Sequence, residues 1–105
     1  MQFKFKIDRQ WVGEGEPCFI IAEMSANHCQ NYAKAVAIIK AAKTAGADAI
    51  KLQTYTPDTL TIQSDKTWFR VGGKDNPKSW QQQTFYDLYQ KAYMPWDWQP
   101  KLQQF

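Results

Sequence analysis

Cysteine and histidine are scarce in this chain of 105 residues: Cys18 and Cys29 are its two thiols and His28 its one imidazole. Two isolated cysteines make neither a disulfide scaffold nor a metal knuckle, and as reduced thiols they fit a cytoplasmic setting. A single histidine with no cysteine or aspartate at ligand spacing cannot form a metal site by itself. Clustered charge is missing as well. The 13 Lys and Arg and 10 Asp and Glu are scattered and sum to +3 without a basic block, so nucleic acid is excluded as a partner and small anions are not. No apolar run approaches the roughly 18 residues of a membrane span, so no membrane partner is expected. The start, Met1-Gln2-Phe3-Lys4-Phe5-Lys6, alternates polar and aromatic residues where a signal peptide would set a charged region before an apolar one. There is no internal repeat and no low-complexity segment.

What is abundant is apolar and aromatic surface. At 44% apolar and 15% aromatic, with five Trp, six Phe and five Tyr, the chain is not a disordered tail, and some of these rings are expected to pack against something outside it. Residues 2–8 alternate with period two, with Phe3, Phe5 and Ile7 on one face of a predicted strand. Gly13-Glu14-Gly15-Glu16-Pro17 breaks it, so residues 1–17 are expected to form a hairpin or plug closing one end of a larger body. Residues 19–25 are nearly continuously apolar, the pattern of a parallel strand covered on both faces. Alternation puts Phe19, Ile21, Glu23 and Ser25 on one side and Ile20, Ala22 and Met24 on the other. From Asn31 the spacing of Ala33, Val36, Ala37, Ile39, Ala41 and Ala42 predicts an Ala-rich helix with a broad apolar face, ended by Gly46. A second strand over residues 48–54 sets Ile50, Leu52 and Thr54 on one side and Ala49, Lys51, Gln53 and Tyr55 on the other. A crossover through the helix makes the two strands parallel neighbours.

The remainder is less regular. Residues 54–82 predict a long excursion punctuated by Pro57, Gly72, Gly73 and Pro77, with Trp68, Phe69 and Trp80 arguing for order. Residues 84–93 return to helical spacing, with Phe85, Leu88, Tyr89 and Ala92 on one face and Thr84 as N-cap. Asp97 is placed to cap a further helix near Trp98.

Chemistry gathers at the carboxyl ends of the two parallel strands, where α/β folds bind ligands. A buried Lys51 beside Gln53 offers an ammonium and a carboxamide for a carboxylate or phosphate. Glu23 suits sugar hydroxyls, or acts as general acid or base if its environment raises its pKa. The bland alternatives stay open at this point: Glu23 and Lys51 as a structural ion pair, His28 ordering the loop by hydrogen bonding, Asn27 shaping the turn before the helix through its tolerance of turn and left-handed geometry, Tyr55 as loop packing and Asp58 as a turn residue. Tyr86, Tyr89, Tyr93, Trp96 and Trp98 are expected to be packing residues in preference to a sugar-stacking platform.

Ile20-Ile21-Ala22-Glu23 with Asn27-His28, followed by Ala45-Gly46-Ala47-Asp48-Ala49-Ile50-Lys51-Leu52-Gln53-Thr54-Tyr55, resembles the amino-terminal part of the sialic acid synthase family. The stretches Thr54 to Thr61 and Tyr86 to Trp96 look most like its pseudaminate branch, which uses a diacetamido-trideoxy-altrose; the legionaminate and N-acetylneuraminate branches are the alternatives. The resemblance implies an α/β fold that is the amino-terminal portion of a TIM (β/α)₈ barrel, with residues 1–17 as hairpin, 18–54 as βαβ unit and 55–105 as a long insertion with helices. Such a barrel needs roughly 250 residues, so a chain ending after about two barrel strands is expected to be a truncated fragment. The family implies condensation of phosphoenolpyruvate with an N-acetylated amino sugar, a homodimer, and a divalent metal, typically manganese, whose ligands lie outside this chain. By resemblance Lys51 contacts phosphoenolpyruvate, Glu23 and Gln53 meet the sugar or organise its pocket, and Asn27, His28 and Tyr55 line the site. Two departures lie near its mouth: Gln at residues 81–83 where a Gly is usual, and Cys29 where a polar residue usually follows the Asn-His pair. The contrasting expectation is an inactive fragment, at best a folding or interaction module, because two strands leave open edges.

Overall fold

The alternation at the start of the chain becomes a hairpin in the structure, a computed structural model that describes residues 2–105. Met1, the first residue of the expected hairpin, lies outside the described residues. Strands β1 (Lys4–Ile7) and β2 (Gln10–Gly13) pair antiparallel, with Phe5 opposite Val12 and Lys6 opposite Trp11. The reversal at Asp8-Arg9 puts Asp8 at φ 52, a left-handed conformation that a short polar side chain tolerates. Lys4 Nζ pairs with Glu16 Oε1 at 2.7 Å, and Lys6 Nζ lies 4.8 Å from the centre of the Trp11 ring. The apolar face stays bare: Phe3 is 75% and Phe5 57% exposed.

The βαβ unit follows the expected order with shorter strands. β3 (Ile21–Glu23) and β4 (Ala49–Lys51) pair parallel, with Ile21, Ala22 and Glu23 opposite Ala49, Ile50 and Lys51. At the entry, the Asp48 carboxylate accepts the Ile20 N–H at 2.7 Å, while the Ile20 carbonyl accepts from the N–H groups of Asp48 and Ala49. At the exit, the Met24 N–H donates to Lys51 O, and then Ser25 at φ 51 leaves the extended region. A left-handed residue cannot continue a pleated ladder, so β3 stops before residue 25.

Helix α1 (Tyr32–Thr44) crosses between the strands. The Asn31 side chain accepts from the Lys34 N–H at its start. At its end Gly46, at φ 89, donates to Lys43 O, and Ala47 donates to Ala42 O, the paired bonds of a Schellman cap. The helix lays Ala35 and Ile39 on Met24, with Tyr32, Val36, Ile38, Ile50 and Leu52 around them. Covering on both strand faces, as expected, is not found. Ile21 is 54% exposed, and the side chains of Glu23 and Lys51 are also open, because one helix covers one side of the sheet and no described layer lies on the other.

Residues 54–82 hold more order than their punctuation predicts. Pro57 opens a short helix α2 (Pro57–Leu60), whose start is tied by a Thr56 N–H bond to Thr59 Oγ1 at 2.9 Å. A single 3₁₀ turn follows at Thr67–Phe69. Val71, buried, exchanges backbone bonds with residues 82–83, and the Arg70 guanidinium donates to the carbonyls of Asp65 and Gln82 at 2.9 Å each. The turn at residues 80–83 does take a glycine-like conformation, at Gln82 with φ 69. Helix α3 (Phe85–Ala92) starts as expected, with the Asp87 N–H donating to Thr84 Oγ1. Helix α4 (Trp98–Leu102) follows, but Asp97 does not cap it; its carboxylate pairs with Lys101 one turn on. Met94 and Leu102 complete the core beside α1.

Candidate active site

Parallel pairing decides the first feature of the site. Directly opposed residues of parallel strands project to the same side, so Glu23 and Lys51 stand together on the bare face, and Lys51 Nζ donates to Glu23 Oε1 at 3.2 Å. The expectation of a buried lysine is corrected: its side chain is 60% exposed and that of Glu23 65%. Water reaches this face freely, and an exposed pair of this kind stabilises the fold by only about 0 to 1 kcal/mol. The ion pair is therefore an accessible ammonium and carboxylate, free to exchange partners when an anion arrives.

Past the strand ends, Gln53 and Ser25 line a cavity of about 230 Å³ against α3. Tyr55 closes one side. Its ring meets Tyr89 edge-on at 5.6 Å, its carbonyl accepts the Trp96 indole N–H at 2.9 Å, and burial, with Tyr89 adding repulsion, raises its hydroxyl pKa. Tyr55 is thus a neutral hydrogen-bonding phenol near neutral pH.

The loop between β3 and α1 is a chain of tight turns. Asn27, Cys29 and Asn31 donate their backbone N–H groups to Met24, Ala26 and His28, and Cys29 and Gln30 hold φ near 50. Left-handed geometry falls on Ser25, Cys29 and Gln30; non-glycine residues there cost of order 1 kcal/mol each. Asn27 instead ties the turn by donating its side-chain amide to Met24 O at 2.9 Å, and it lines a second cavity of about 410 Å³. His28 turns inward, 1% exposed, with Nδ1 accepting the Gln30 N–H at 2.9 Å and its ring edge-on to Trp98 at 5.7 Å. Burial lowers its pKa, so the ring is neutral. Gln30 reaches across to α3, its amide donating to the carbonyls of Gln90 and Tyr93.

Of the six residues singled out from the sequence, the structure brings Glu23 and Lys51 into contact, sets Gln53 and Tyr55 on one cavity and Asn27 on the next, and places His28 in the packing beneath the loop. Ser25, Trp80, Gln83 and Leu88 also line these cavities. Alternation from Glu23 points to Ser25; nothing in local pattern points to Trp80 or Gln83. Among the described residues no three of His, Cys, Asp and Glu stand close enough to hold a metal, and His28 has its Nδ1 engaged, so these residues do not fit a metal centre of their own. No helix among the described residues is long and apolar enough to cross a membrane.

The sequence profile of the NeuB family matches residues 38–105. A pseudaminic acid synthase of Campylobacter jejuni is 50% identical over 84 residues, covering 80% of this chain and 23% of that protein. A pseudaminic acid synthase of Helicobacter pylori is 41% identical over 87 residues, 83% of this chain and 24% of that protein. The spore coat polysaccharide biosynthesis protein SpsE of Bacillus subtilis is 35% identical over 94 residues, 90% of this chain and 23% of that protein. The chain thus spans about a quarter of the length of these relatives. With the profile covering well over half its residues, the chain belongs to the NeuB family.

Proposed function

We propose that this segment is the first part of a pseudaminic acid synthase barrel and supplies one wall of its active site. The observation that carries the reading is the Glu23–Lys51 pair, opposed across two parallel strands on an open face, with Gln53 lining the cavity just past the strand ends. Similarity to pseudaminic acid synthases extends over 80–83% of the chain, against 42–46% for a legionaminic acid and an N-acetylneuraminate-9-phosphate synthase, and this supports the choice of branch. In this reading β3 and β4 are the first two strands of a (β/α)₈ barrel, their bare face looks into its interior, and the protein works as a cytoplasmic homodimer. The divalent metal takes its ligands from the rest of the longer polypeptide.

The reaction joins phosphoenolpyruvate to the open-chain aldehyde of a diacetamido-trideoxy-altrose. Carbon 3 of phosphoenolpyruvate forms a bond to the aldehyde carbon, whose oxygen takes a proton. Water adds at carbon 2, and that carbon's bond to the phosphate-bearing oxygen breaks, releasing inorganic phosphate and leaving the keto acid. Lys51 leaves Glu23 for the carboxylate or phosphate of phosphoenolpyruvate and offsets its charge throughout, electrostatic stabilisation without a covalent intermediate. Glu23, relieved of its partner, accepts from sugar hydroxyls or from the attacking water. Gln53 and the neutral Tyr55 hydroxyl orient the sugar at the strand ends.

In a full-length synthase carrying this segment, Lys51→Ala is expected to lower kcat/KM for phosphoenolpyruvate at least tenfold, since losing a charge-assisted contact to an anion costs roughly 1.5 to 3 kcal/mol. Steady-state phosphate release checks this. Unchanged kinetics would remove Lys51 from the anion site.

A further inference from the structure

Three residues without the freedom of glycine hold left-handed backbone within one short loop between β3 and α1: Ser25, Cys29 and Gln30. Strain of this kind persists only where the surroundings over-determine it, and it gathers at functional sites. For Gln30 both the fixing contact and its result are visible. Its backbone N–H donates to Nδ1 of the buried His28 at 2.9 Å, which holds the residue at φ 53. Its side chain then crosses to the far end of α3, where the amide donates to the carbonyls of Gln90 at 2.9 Å and Tyr93 at 3.0 Å. Tyr93, at ψ 149, has left the helix, so the Gln90 carbonyl has no helical N–H to accept and is free for this bond. Cys29 and Lys91, the sequence neighbours of Gln30 and Gln90, both line the cavity of about 410 Å³. The bridge therefore ties together the two walls of this cleft, the loop with Asn27 and Cys29 on one side and α3 with Leu88, Lys91 and Ala92 on the other. Both bonds lie at the surface, where they add little to stability, so their effect is geometric.

We propose that Gln30 is a positioning residue of the synthase site, holding the β3–α1 loop, and with it Asn27, at a fixed separation from α3. The proposal rests on the synthase reading above and adds to it a residue that acts through the loop and not by contact with substrate. A glycine at this position relieves the left-handed backbone but leaves the two walls untied. A glutamate keeps the shape of the side chain and turns an acceptor towards two carbonyls at the negative end of a helix, which repels it. A lysine donates to the same carbonyls and suits the same helix end. The three replacements thus separate backbone strain, side-chain shape and donation. Without the bridge the loop is free to move from α3, and displacing a substrate-positioning group by about 1 Å lowers turnover steeply. Lys51 is held by the ladder between β3 and β4, outside the bridge, so the anion site keeps its place.

The test uses a full-length synthase carrying this segment, with steady-state phosphate release and thermal denaturation measured on each variant. Gln30→Gly is expected to shift Tm by less than about 3 °C, because relief of strain offsets the lost bonds. In the same variant kcat/KM for the amino sugar is expected to fall about tenfold while KM for phosphoenolpyruvate stays within about twofold. Gln30→Glu is expected to match that loss, and Gln30→Lys to lie within about threefold of wild type. A Gly variant with wild-type kinetics, or a Lys variant as impaired as the Glu variant, would overturn the positioning role and leave the synthase reading standing. A loss of activity that tracks Tm across the three variants would overturn it too, since a merely structural contact behaves that way. If wild type releases no phosphate, the synthase reading fails, and amide hydrogen exchange then decides the bridge alone. Residues 25–31 and 88–93 are expected to exchange at least about fivefold faster in Gln30→Gly and at the wild-type rate in Gln30→Lys. Equal exchange in all three proteins would overturn the bridge.

Discussion

At the scale of single residues, period-two alternation and the parallel register are enough to align Glu23 with Lys51, while Gln53 and the left-handed Ser25 reach the neighbouring cavity from beyond the strand ends. Alternation tells which side a residue takes, and says nothing of whether that side is covered, which is why Lys51 is open where a buried ammonium was expected. His28 shows the opposite outcome. A histidine beside a candidate site lies under the loop, with Nδ1 accepting the Gln30 N–H and Trp98 against its ring. Its pKa is lowered by burial, so between the ordinary value of 6.5 and the folded value the unfolded chain binds more protons. The stability contributed by the neutral ring is therefore complete above about pH 6.5 and is lost as pH falls from there towards the folded pKa. The expected outcome is a Tm that drops as pH falls below about 6.5, with a smaller drop in His28→Gln, read by thermal denaturation across pH. Equal slopes for both proteins would rule His28 out as the titrating group.

At the scale of elements, the ends are legible because capping depends on residues within one turn of each other. Gly46 past α1 and Thr84 before α3 behave as their types predict, and Asn31 caps α1 through the Lys34 N–H. Asp97 shows the limit of that rule, since its carboxylate finds Lys101 and leaves the helix start uncapped. The hairpin depends on one glycine. Gly13 sits at φ 142, and a Cβ there would lie 2.2 Å from the Phe3 carbonyl oxygen and 2.9 Å from Lys4 Cα, both backbone atoms that cannot step aside without breaking the pairing. Gly13→Ala is expected to destabilise the β1–β2 hairpin by more than about 1 kcal/mol while α1 is unaffected. Amide hydrogen exchange would report this as a loss of protection of fivefold or more confined to residues 4–13, and uniform protection would contradict it. The pairing of Val71 with residues 82–83 was not legible, because it depends on a strand-like contact across a stretch with no periodic pattern.

At the scale of the whole molecule, the core of Met24, Ala35, Ile39, Met94 and Leu102 lies on one side of the two-stranded sheet, and the candidate site lies on the other. Among the described residues each sheet has two strands, so every strand carries an unpaired edge, and the rings of Phe3, Phe5 and Trp68 remain exposed. An active site needs walls that exclude water and hold both substrates in line, and one open face does neither. The purified 105-residue chain is therefore expected to release no phosphate from phosphoenolpyruvate and an N-acetylated amino sugar, whereas a full-length synthase carrying it is expected to do so. Turnover by the segment alone would show that Glu23, Lys51 and Gln53 need no opposite wall.

The chain's own pattern determined the order strand, helix, strand, the side on which each strand residue stands, and the caps, because these follow from backbone geometry and neighbours a few residues away. Only tertiary structure decided that Lys51 is open, that His28 is buried, and that Gln83 comes to the cleft that Ser25 also lines. Exposure and proximity of that kind depend on what packs across the fold, and residues 25 and 83 share no local pattern that could have announced their meeting.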